Sequence, residues 1–308
     1  MNLRIFTEPQ QGATYEDLLA VALEAERLNF DAFFRSDHYL HMGGEPGPGS
    51  TDAWITLAGL ARDTTTIRLG TLLTANTFRY AGPLAVTVAT VDAMSNGRVE
   101  FGLGAGWYED EHRQFGIPFP SVTERFDRLE ESLQIIAGLW GTAPGERFSF
   151  EGVHNTVAES VALPKPQQRP HPPIIIGGLG ERRTPELAAH FADEFNVPFS
   201  DVETTRAQFQ RVAEVCAQLG RDPGTMTFSA AQVVCVGSTE RELERRAAAI
   251  GREVSELRHN GVAGTADEAL SRLSSFAEIG ATRVYLQVLD LSDLDHLGLI
   301  SDELQSRV

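Results

Sequence analysis

The sequence has little cysteine and a shortage of positive charge. Its 308 residues include two cysteines, Cys216 and Cys235, and 26 Lys and Arg against 43 Asp and Glu, for a formal net charge of −17. Two cysteines without metal-ligand spacing argue against a disulfide scaffold and fit a reducing compartment. Because nucleic acids are bound by basic surfaces, the acidic balance argues against nucleic acid as a partner.

Long apolar runs are also missing. No stretch approaches the roughly 18 apolar residues that a membrane helix requires. The first ten residues, MNLRIFTEPQ, lack the cationic and apolar regions of a signal peptide. We therefore expect a soluble, cytoplasmic protein without a membrane partner. Its content of 42% hydrophobic and 22% charged residues is ordinary for a globular protein.

The apolar pattern alternates between short strands and longer helices. Runs rich in β-branched or aromatic residues predict eight strands, at about 3–6, 31–35, 67–73, 99–103, 174–177, 194–197, 227–236 and 283–288. Helical periodicity predicts helices at about 15–28, 52–61, 82–94, 122–140, 182–191, 204–219, 240–257 and 266–279. Repeated strand–helix units predict parallel strands that can close into a (β/α)₈ TIM barrel. An open, doubly wound sheet is the alternative.

One segment interrupts the alternation before the fifth strand. Residues 147–163 alternate like a hairpin, and 164–173 are rich in proline. Because proline fits neither a helix interior nor a central strand, this segment is expected to be a connecting insertion. The pattern resumes after it, so we expect one domain over 1–308 with an insertion at about 141–173.

In such a barrel the chemistry lies at the carboxyl ends of the strands. The second strand is followed by Asp37 and His38, and an imidazole near neutrality suits proton transfer. The competing interpretation makes Asp37 a turn cap and His38 a surface residue. His41 is a weaker candidate, and the glycine-rich residues 43–49 are predicted to form a mobile loop, of the kind that often acts as a lid.

Later strands end in polar and glycine-rich segments. Thr74, Asn76 and Arg79 follow the third strand, where amide, hydroxyl and guanidinium groups suit a heterocycle or an anion. The fourth strand ends in Gly104, Ala105, Gly106 and Trp107, which lack the context of a dinucleotide fingerprint. Glycines there let a flat ligand approach the backbone. An ordinary polar loop is the alternative in both places.

The fifth strand runs into a second glycine-rich turn that opens a helix. Free N–H groups at a helix N-terminus favour an anion such as phosphate. The candidate groups are Gly177, Gly178, Gly180, Arg182, Arg183 and Thr184. A glycine turn with surface arginines is the alternative. The remaining histidines form no cluster that predicts a metal site, and no serine lies in a nucleophile elbow.

Taken in order, these segments resemble the luciferase-like monooxygenase superfamily, in particular its branch that uses the deazaflavin coenzyme F420. The resemblance is carried by residues 30–38, 69–79, 95–107, 172–184, 192–193 and 264–287. It spans nearly the whole chain, and the order of the motifs is more specific than any one of them. It implies a barrel with an insertion before the fifth strand.

The resemblance also implies roles for the candidate residues. Asp37 would contact the ring edge, His38 would be the acid/base, and Leu72–Leu73 would form a non-prolyl cis peptide behind the ring. The ring or its ribityl chain would meet Thr74 and Asn76, and backbone at Gly104, Ala105 and Gly106. The implied phosphate site is Gly177, Gly178, Gly180 and Thr184, with Arg182 and Arg183 near the polyglutamate tail.

The implied function is hydride transfer between F420 and a small organic substrate. The alternative is an FMN-dependent monooxygenase that works with a separate flavin reductase, and a third possibility is a barrel that binds cofactor without catalysis. Substrate contacts are expected from residues 39–50, from 108–120 and from the region after Val236. Members of the family often form homodimers, which makes a homodimer a further expectation.

Overall fold

The computed structural model describes residues 1–42 and 49–308. Its strands are β1 (Asn2–Thr7), β2 (Ala32–Arg35), β3 (Arg68–Thr71), β4 (Thr74–Ala75), β5 (Val99–Gly104), β6 (Phe148–Glu151), β7 (Thr156–Ser160), β8 (Ile174–Gly177), β9 (Glu194–Pro198), β10 (Thr227–Val236), β11 (Val262–Gly264) and β12 (Arg283–Val288). Its α-helices are α1 (Tyr15–Arg27), α2 (Ala53–Asp63), α3 (Ala81–Met94), α4 (Glu109–Phe115), α5 (Val122–Gly141), α6 (Arg183–Phe191), α7 (Val202–Gln218), α8 (Glu240–Ala249), α9 (Val254–Asn260), α10 (Ala266–Glu278) and α11 (Leu294–Glu303).

Eight parallel strands close a barrel in the order β1, β2, β3, β5, β8, β9, β10 and β12. The barrel closes where β12 pairs with β1, and β10 pairs with both β9 and β12. Outward side chains such as Ile5 and Phe33 share one buried cluster with helix residues such as Leu18 and Leu57. The predicted barrel and its eight strands are therefore confirmed.

The helices begin where the sequence offers capping groups. Thr14 and Asp17 form a capping box at the start of α1, whose buried face includes Leu18 and Val21. Ser121 caps α5 by accepting a hydrogen bond from the backbone N–H of Glu124. These local signals fix the helix starts, and burial of one apolar face against the strands supplies most of the stability.

Two predicted elements are interrupted. The third strand pauses at Leu72 and Leu73 and continues as β4, which pairs with β5 through Thr74 opposite Leu103. The helix predicted over 240–257 is two helices, α8 and α9, and Gly251 between them has a φ of 66° that helical residues do not adopt. The short strand β11, which pairs with β10, and helices α4 and α11 were not predicted.

The insertion before the fifth barrel strand is confirmed. Strands β6 and β7 form an antiparallel hairpin, as the alternation predicted. The proline-rich segment follows, with cis peptides before Pro164 and Pro170. Gln168 ties this segment to the barrel, because its side-chain amide donates to Asp92 and to the carbonyl of Val99, both at 2.7 Å.

A charged cluster occupies the barrel interior near the amino ends of the strands. The Arg4 guanidinium donates to Glu100 at 3.0 Å, and the Tyr285 hydroxyl donates to Glu194 at 2.8 Å. All four side chains are buried. Buried charges persist only when they are paired, so this cluster belongs to the barrel's construction.

An apolar layer lies above the charged cluster. It consists of Phe6, Ala32, Phe34, Ile175, Ala231 and Tyr285, and Leu72 and Leu73 pack against it. Inward side chains beyond this layer face the mouth of the barrel at the carboxyl ends of the strands. Along the described residues, none of the helices is both long and apolar enough to span a bilayer.

Candidate active site

His38 lies just beyond the end of β2, and its imidazole is held from one side. Nδ1 is 3.0 Å from Oε1 and 3.2 Å from Oε2 of Glu111, a residue of α4 whose side chain is 1% exposed. Glu111 also accepts from the backbone N–H of Tyr39 at 3.1 Å. An imidazole that donates from Nδ1 presents Nε2 as an acceptor. Nε2 has no hydrogen-bond partner among residues 1–42 and 49–308.

Two aromatic side chains stand beside His38. The ring centroids of Trp107 and Tyr108 are 5.6 and 6.2 Å from that of the imidazole. The Tyr108 hydroxyl donates to the carbonyl of His41 at 3.3 Å, which brings the backbone of His41 to the same side of the mouth. The glycine-rich loop predicted over 43–49 lies outside the described residues except for Gly49.

Asp37 points into an internal ion-pair network. Its Oδ2 accepts from the backbone N–H of Ala75 at 3.0 Å, and its Oδ1 accepts from Arg79 at 2.9 Å. Arg79 also donates to Asp52 at 2.7 Å. Burial raises the pKa of Asp37, and the Arg79 guanidinium opposes that rise. Arg79 was predicted to bind an anion. Its anionic partners in the structure are two carboxylates of the same chain, those of Asp37 and Asp52.

The segment after β3 has the predicted cis peptide at Leu72–Leu73. The Thr74 hydroxyl accepts from Trp54 Nε1 at 3.2 Å and lies 2.7 Å from that of Thr71, and Thr74 is fully buried. The Thr74 hydroxyl is therefore already hydrogen-bonded within the protein. A contact between Thr74 and the cofactor, as predicted, would have to use the backbone of Thr74. Asn76 differs, because its Oδ1 is buried without a hydrogen-bond partner in the described structure.

The end of β5 approaches its neighbours closely. A side chain at Gly106 would place Cβ 2.5 Å from Thr77 Oγ1, and Gly106 has a φ of 76°. Gly104, the last residue of β5, and Ala105 are partly exposed at the mouth. The carbonyl of Gly106 accepts from Arg125, whose guanidinium carbon lies 4.0 Å from the Phe119 ring centroid. Arg125 therefore places a buried cation beside the stretch of protein backbone that is predicted to contact the cofactor.

The glycine turn after β8 forms a cradle at the start of α6. A Cβ at Gly177 would lie 2.7 Å from the Asn196 carbonyl oxygen, and one at Gly180 would lie 2.4 Å from Thr184 Oγ1. Gly178, between them, has a φ of 133°. No side chain caps the helix, so its first N–H groups stay available for an anion.

The two predicted arginines of this turn differ. Arg182 is 84% exposed and pairs with Glu186 at 3.3 Å. Arg183 is instead bound to Asp127 at 2.7 Å and Glu130 at 3.0 Å. Arg183 is therefore already neutralised, because two carboxylates of α5 compensate its charge.

Sequence reasoning missed Glu111. The predicted helices did not include α4, and nothing in the acidic run 109–111 distinguished the exposed Glu109 from the buried Glu111. The adjacent His112 is also buried, with Nε2 2.7 Å from Thr77 Oγ1 and Nδ1 2.6 Å from the Tyr108 carbonyl oxygen. The only available indication was geometric. In a short helix beside the mouth, side chains on one face alone can reach the mouth, and Glu111 is on that face.

The fold and the site define a class: a (β/α)₈ barrel with a buried acid–histidine pair and a glycine cradle at one mouth. The chain belongs to the luciferase-like monooxygenase family, whose model matches residues 1–303. The predicted family is therefore confirmed.

Curated relatives match parts of the chain. An F420-dependent glucose-6-phosphate dehydrogenase of Microbacterium testaceum (strain StLB037) is 35% identical over 183 residues, 58% of this chain and 51% of that protein. An FMNH₂-dependent dimethylsulfone monooxygenase of Pseudomonas putida is 32% identical over 136 residues, 44% of this chain and 36% of that protein. In both matches the aligned region covers only about half or less of the relative's length.

Solved structures share the whole fold. An F420-dependent secondary alcohol dehydrogenase in complex with an F420–acetone adduct has a TM-score of 0.85 at 20% identity, with 98% of each chain covered. A type II Baeyer–Villiger monooxygenase from Pseudomonas putida, in complex with FMN, has a TM-score of 0.80 at 16% identity, covering 100% of this chain and 99% of that one. At these identities the likeness establishes the fold.

Proposed function

We propose that this protein is an F420-dependent oxidoreductase that moves a hydride between the deazaflavin and a small organic substrate, with His38 as the acid/base. The observation that carries the proposal is the arrangement of His38. Its Nδ1 is bound to the buried carboxylate of Glu111, while Nε2 has no partner among the described residues. An imidazole that is oriented by a carboxylate at Nδ1 and open at Nε2 can act as a general acid/base.

The choice of F420 is supported by the curated relatives and by the chain's own residues. Four of the relatives are named as F420-dependent enzymes. The glycine turn leads into α6, whose N-terminus has no side-chain cap, so the first N–H groups of the helix can bind a phosphate. The orphaned acceptor at Asn76 fits a ring or a ribityl group that donates hydrogen bonds.

Each residue then has a defined part. When bound, F420 supplies a ring carbon that accepts or gives a hydride. His38 Nε2 takes the proton of a substrate hydroxyl that is being oxidised, or returns it in the reverse direction. Glu111 keeps the imidazole oriented and stabilises the imidazolium that forms. Both oxygens of Asp37 are already bound, so we assign it to positioning the Ala75–Arg79 segment.

FMN is the second candidate cofactor, favoured by the FMNH₂-dependent relative. Titrating the purified protein with F420 and with FMN, followed by cofactor fluorescence, separates the two. Tight FMN binding without F420 binding would reverse the choice.

The role of His38 is tested by His38→Ala. We expect cofactor affinity to change less than threefold and turnover to fall about 10²–10⁴-fold, the usual contribution of a general acid/base. The donors to compare are a secondary alcohol and glucose 6-phosphate. Full turnover in the variant would remove His38 from the mechanism. A cytoplasmic location and a homodimer remain predictions.

A further inference from the structure

Helix α4 lies against the barrel with a polar face. The buried residues among its seven are Glu111 and His112. Its apolar residue, Phe115, is 56% exposed. Surface helices are usually held by an apolar face that packs against the strands. The position of α4 therefore depends on what its two buried polar side chains contact.

The first of these contacts is with the end of β2. Glu111 accepts from His38 Nδ1 at 3.0 Å and from the backbone N–H of Tyr39 at 3.1 Å. The first of these hydrogen bonds involves the proposed acid/base itself. Orientation of the His38 imidazole by Glu111 therefore requires that α4 be held in place by something else as well.

The second contact is with the end of β4, and it is made by His112. Its Nε2 lies 2.7 Å from the hydroxyl oxygen of Thr77, in the 3₁₀ turn Asn76–Phe78 that follows β4. Its Nδ1 lies 2.6 Å from the carbonyl oxygen of Tyr108. Because a carbonyl oxygen can only accept, Nδ1 carries a proton, and Nε2 of the neutral imidazole accepts from the Thr77 hydroxyl.

The contact between His112 and Thr77 is shielded from water. The His112 side chain is fully buried, and the ring centroids of Phe78 and Phe119 lie 5.2 and 4.6 Å from that of its imidazole. A hydrogen bond in such surroundings is strengthened, and a nitrogen that loses its partner there is costly. The hydrogen bond with Thr77 therefore holds α4 in one position against the turn after β4.

We propose that His112 is a positioning residue of the active site. Its hydrogen bond with Thr77 fixes α4 against the end of β4, and a fixed α4 keeps the Glu111 carboxylate at His38 Nδ1. The turn that contains Asn76, the candidate cofactor contact, is thereby joined to the proposed acid/base. This assignment rests on the proposed function, because it gives the His38–Glu111 pair a role in turnover. His112 acts through Glu111.

The first test removes the contact from each of its two sides. His112→Phe removes both ring nitrogens and keeps an aromatic ring, and Thr77→Val removes the hydroxyl. At saturating F420 we expect either change to lower kcat about ten- to a hundredfold, with substrate KM within about threefold, since a displacement of about 1 Å can cost that much. A parental kcat in either variant would overturn the proposal.

Three further variants serve as comparisons. His112→Gln offers an amide oxygen to the Thr77 hydroxyl and should recover part of the rate. His190→Gln, at an exposed position of α6, should match the parent. The double variant His112→Phe with Thr77→Val should be no slower than the slower single variant, because both changes remove the same contact. Additive losses would contradict a shared contact and overturn the proposal.

A second measurement does not depend on turnover. Nitrogen-15 NMR of histidine-labelled protein should show the proton of neutral His38 on Nδ1, with His38→Ala identifying its signals. In His112→Phe a share of His38 should change to the Nε2–H form, because the carboxylate is no longer held at Nδ1. An unchanged tautomer would overturn the positioning role. If the parent shows no turnover with F420, the proposed function fails, while the tautomer still decides whether His112 positions the pair.

Discussion

Replacing Glu111 by glutamine changes one buried charge and almost no volume. Glu111 accepts hydrogen bonds from His38 Nδ1 at 3.0 Å and from the Tyr39 N–H at 3.1 Å. A glutamine has one acceptor oxygen, so its NH₂ group must face one of these two donors. Either His38 Nδ1 or the Tyr39 N–H then faces the NH₂ group, and in both cases no carboxylate remains to stabilise the imidazolium.

The size of the effect follows from the burial of the pair. A hydrogen bond to a charged group contributes about 1.5–3 kcal/mol, and Glu111 is 1% exposed, so solvent screens it little. If this interaction is strongest when His38 is protonated, Glu111→Gln should lower kcat by about 10- to 150-fold. The cofactor site lies on other strand ends, so affinity for F420 should change less than threefold.

The assay measures kcat, KM and F420 affinity for the parent, for Glu111→Gln and for Glu109→Gln. Glu109 is on the same first turn of α4 and is exposed, which makes it the matched control. We expect Glu109→Gln to behave like the parent. A Glu111→Gln protein with parental kcat, while His38→Ala is inactive, would show that His38 works without its carboxylate partner.

Three further predictions test the cradle, the ion-pair network and the pH dependence of stability. Gly180→Ala should weaken F420 binding at least tenfold in a fluorescence titration, since its Cβ would lie 2.4 Å from Thr184 Oγ1; unchanged affinity would place the phosphate elsewhere. Asp37→Asn should lower Tm by about 5–10 °C, because breaking a buried ion pair with Arg79 costs about 3–5 kcal/mol; a smaller change than in Glu109→Gln would contradict it. For Glu26, burial raises the pKa but backbone N–H groups led by that of Thr66 outweigh burial and lower it to about 2. The stability that Glu26 adds is therefore present above about pH 4.5 and lost as pH falls towards 2. Glu26→Gln should flatten the acid side of a plot of Tm against pH. An acid side identical to that of the parent would refute this assignment.

The fold was predictable because its signals are local and repeated. Each strand–helix unit has its own spacing of apolar residues, its own helix caps and its own turn residues. When such units are connected in parallel, only a few sheet topologies are possible. The insertion was equally readable, since the prolines of 164–173 exclude regular structure whatever surrounds them. Two predicted elements had wrong boundaries. The strand predicted over 67–73 is broken at Leu72 and Leu73, and the helix predicted over 240–257 is divided at Gly251. The spacing of apolar residues reveals neither interruption.

By itself the sequence determined the barrel and therefore where its strands end. It predicted a site at those ends that includes His38, Asn76 and the glycine turn at 177–180. Only the tertiary structure decided which groups these residues meet. Glu111 lies 73 positions from His38 in the chain. Asp37 is paired with Arg79, which follows the 3₁₀ turn Asn76–Phe78 after β4, and no local pattern encodes that pairing. The reason is physical: periodicity fixes the direction of a side chain relative to its own strand, whereas the partner of a charge is fixed by the packing of separate elements in a low-dielectric interior.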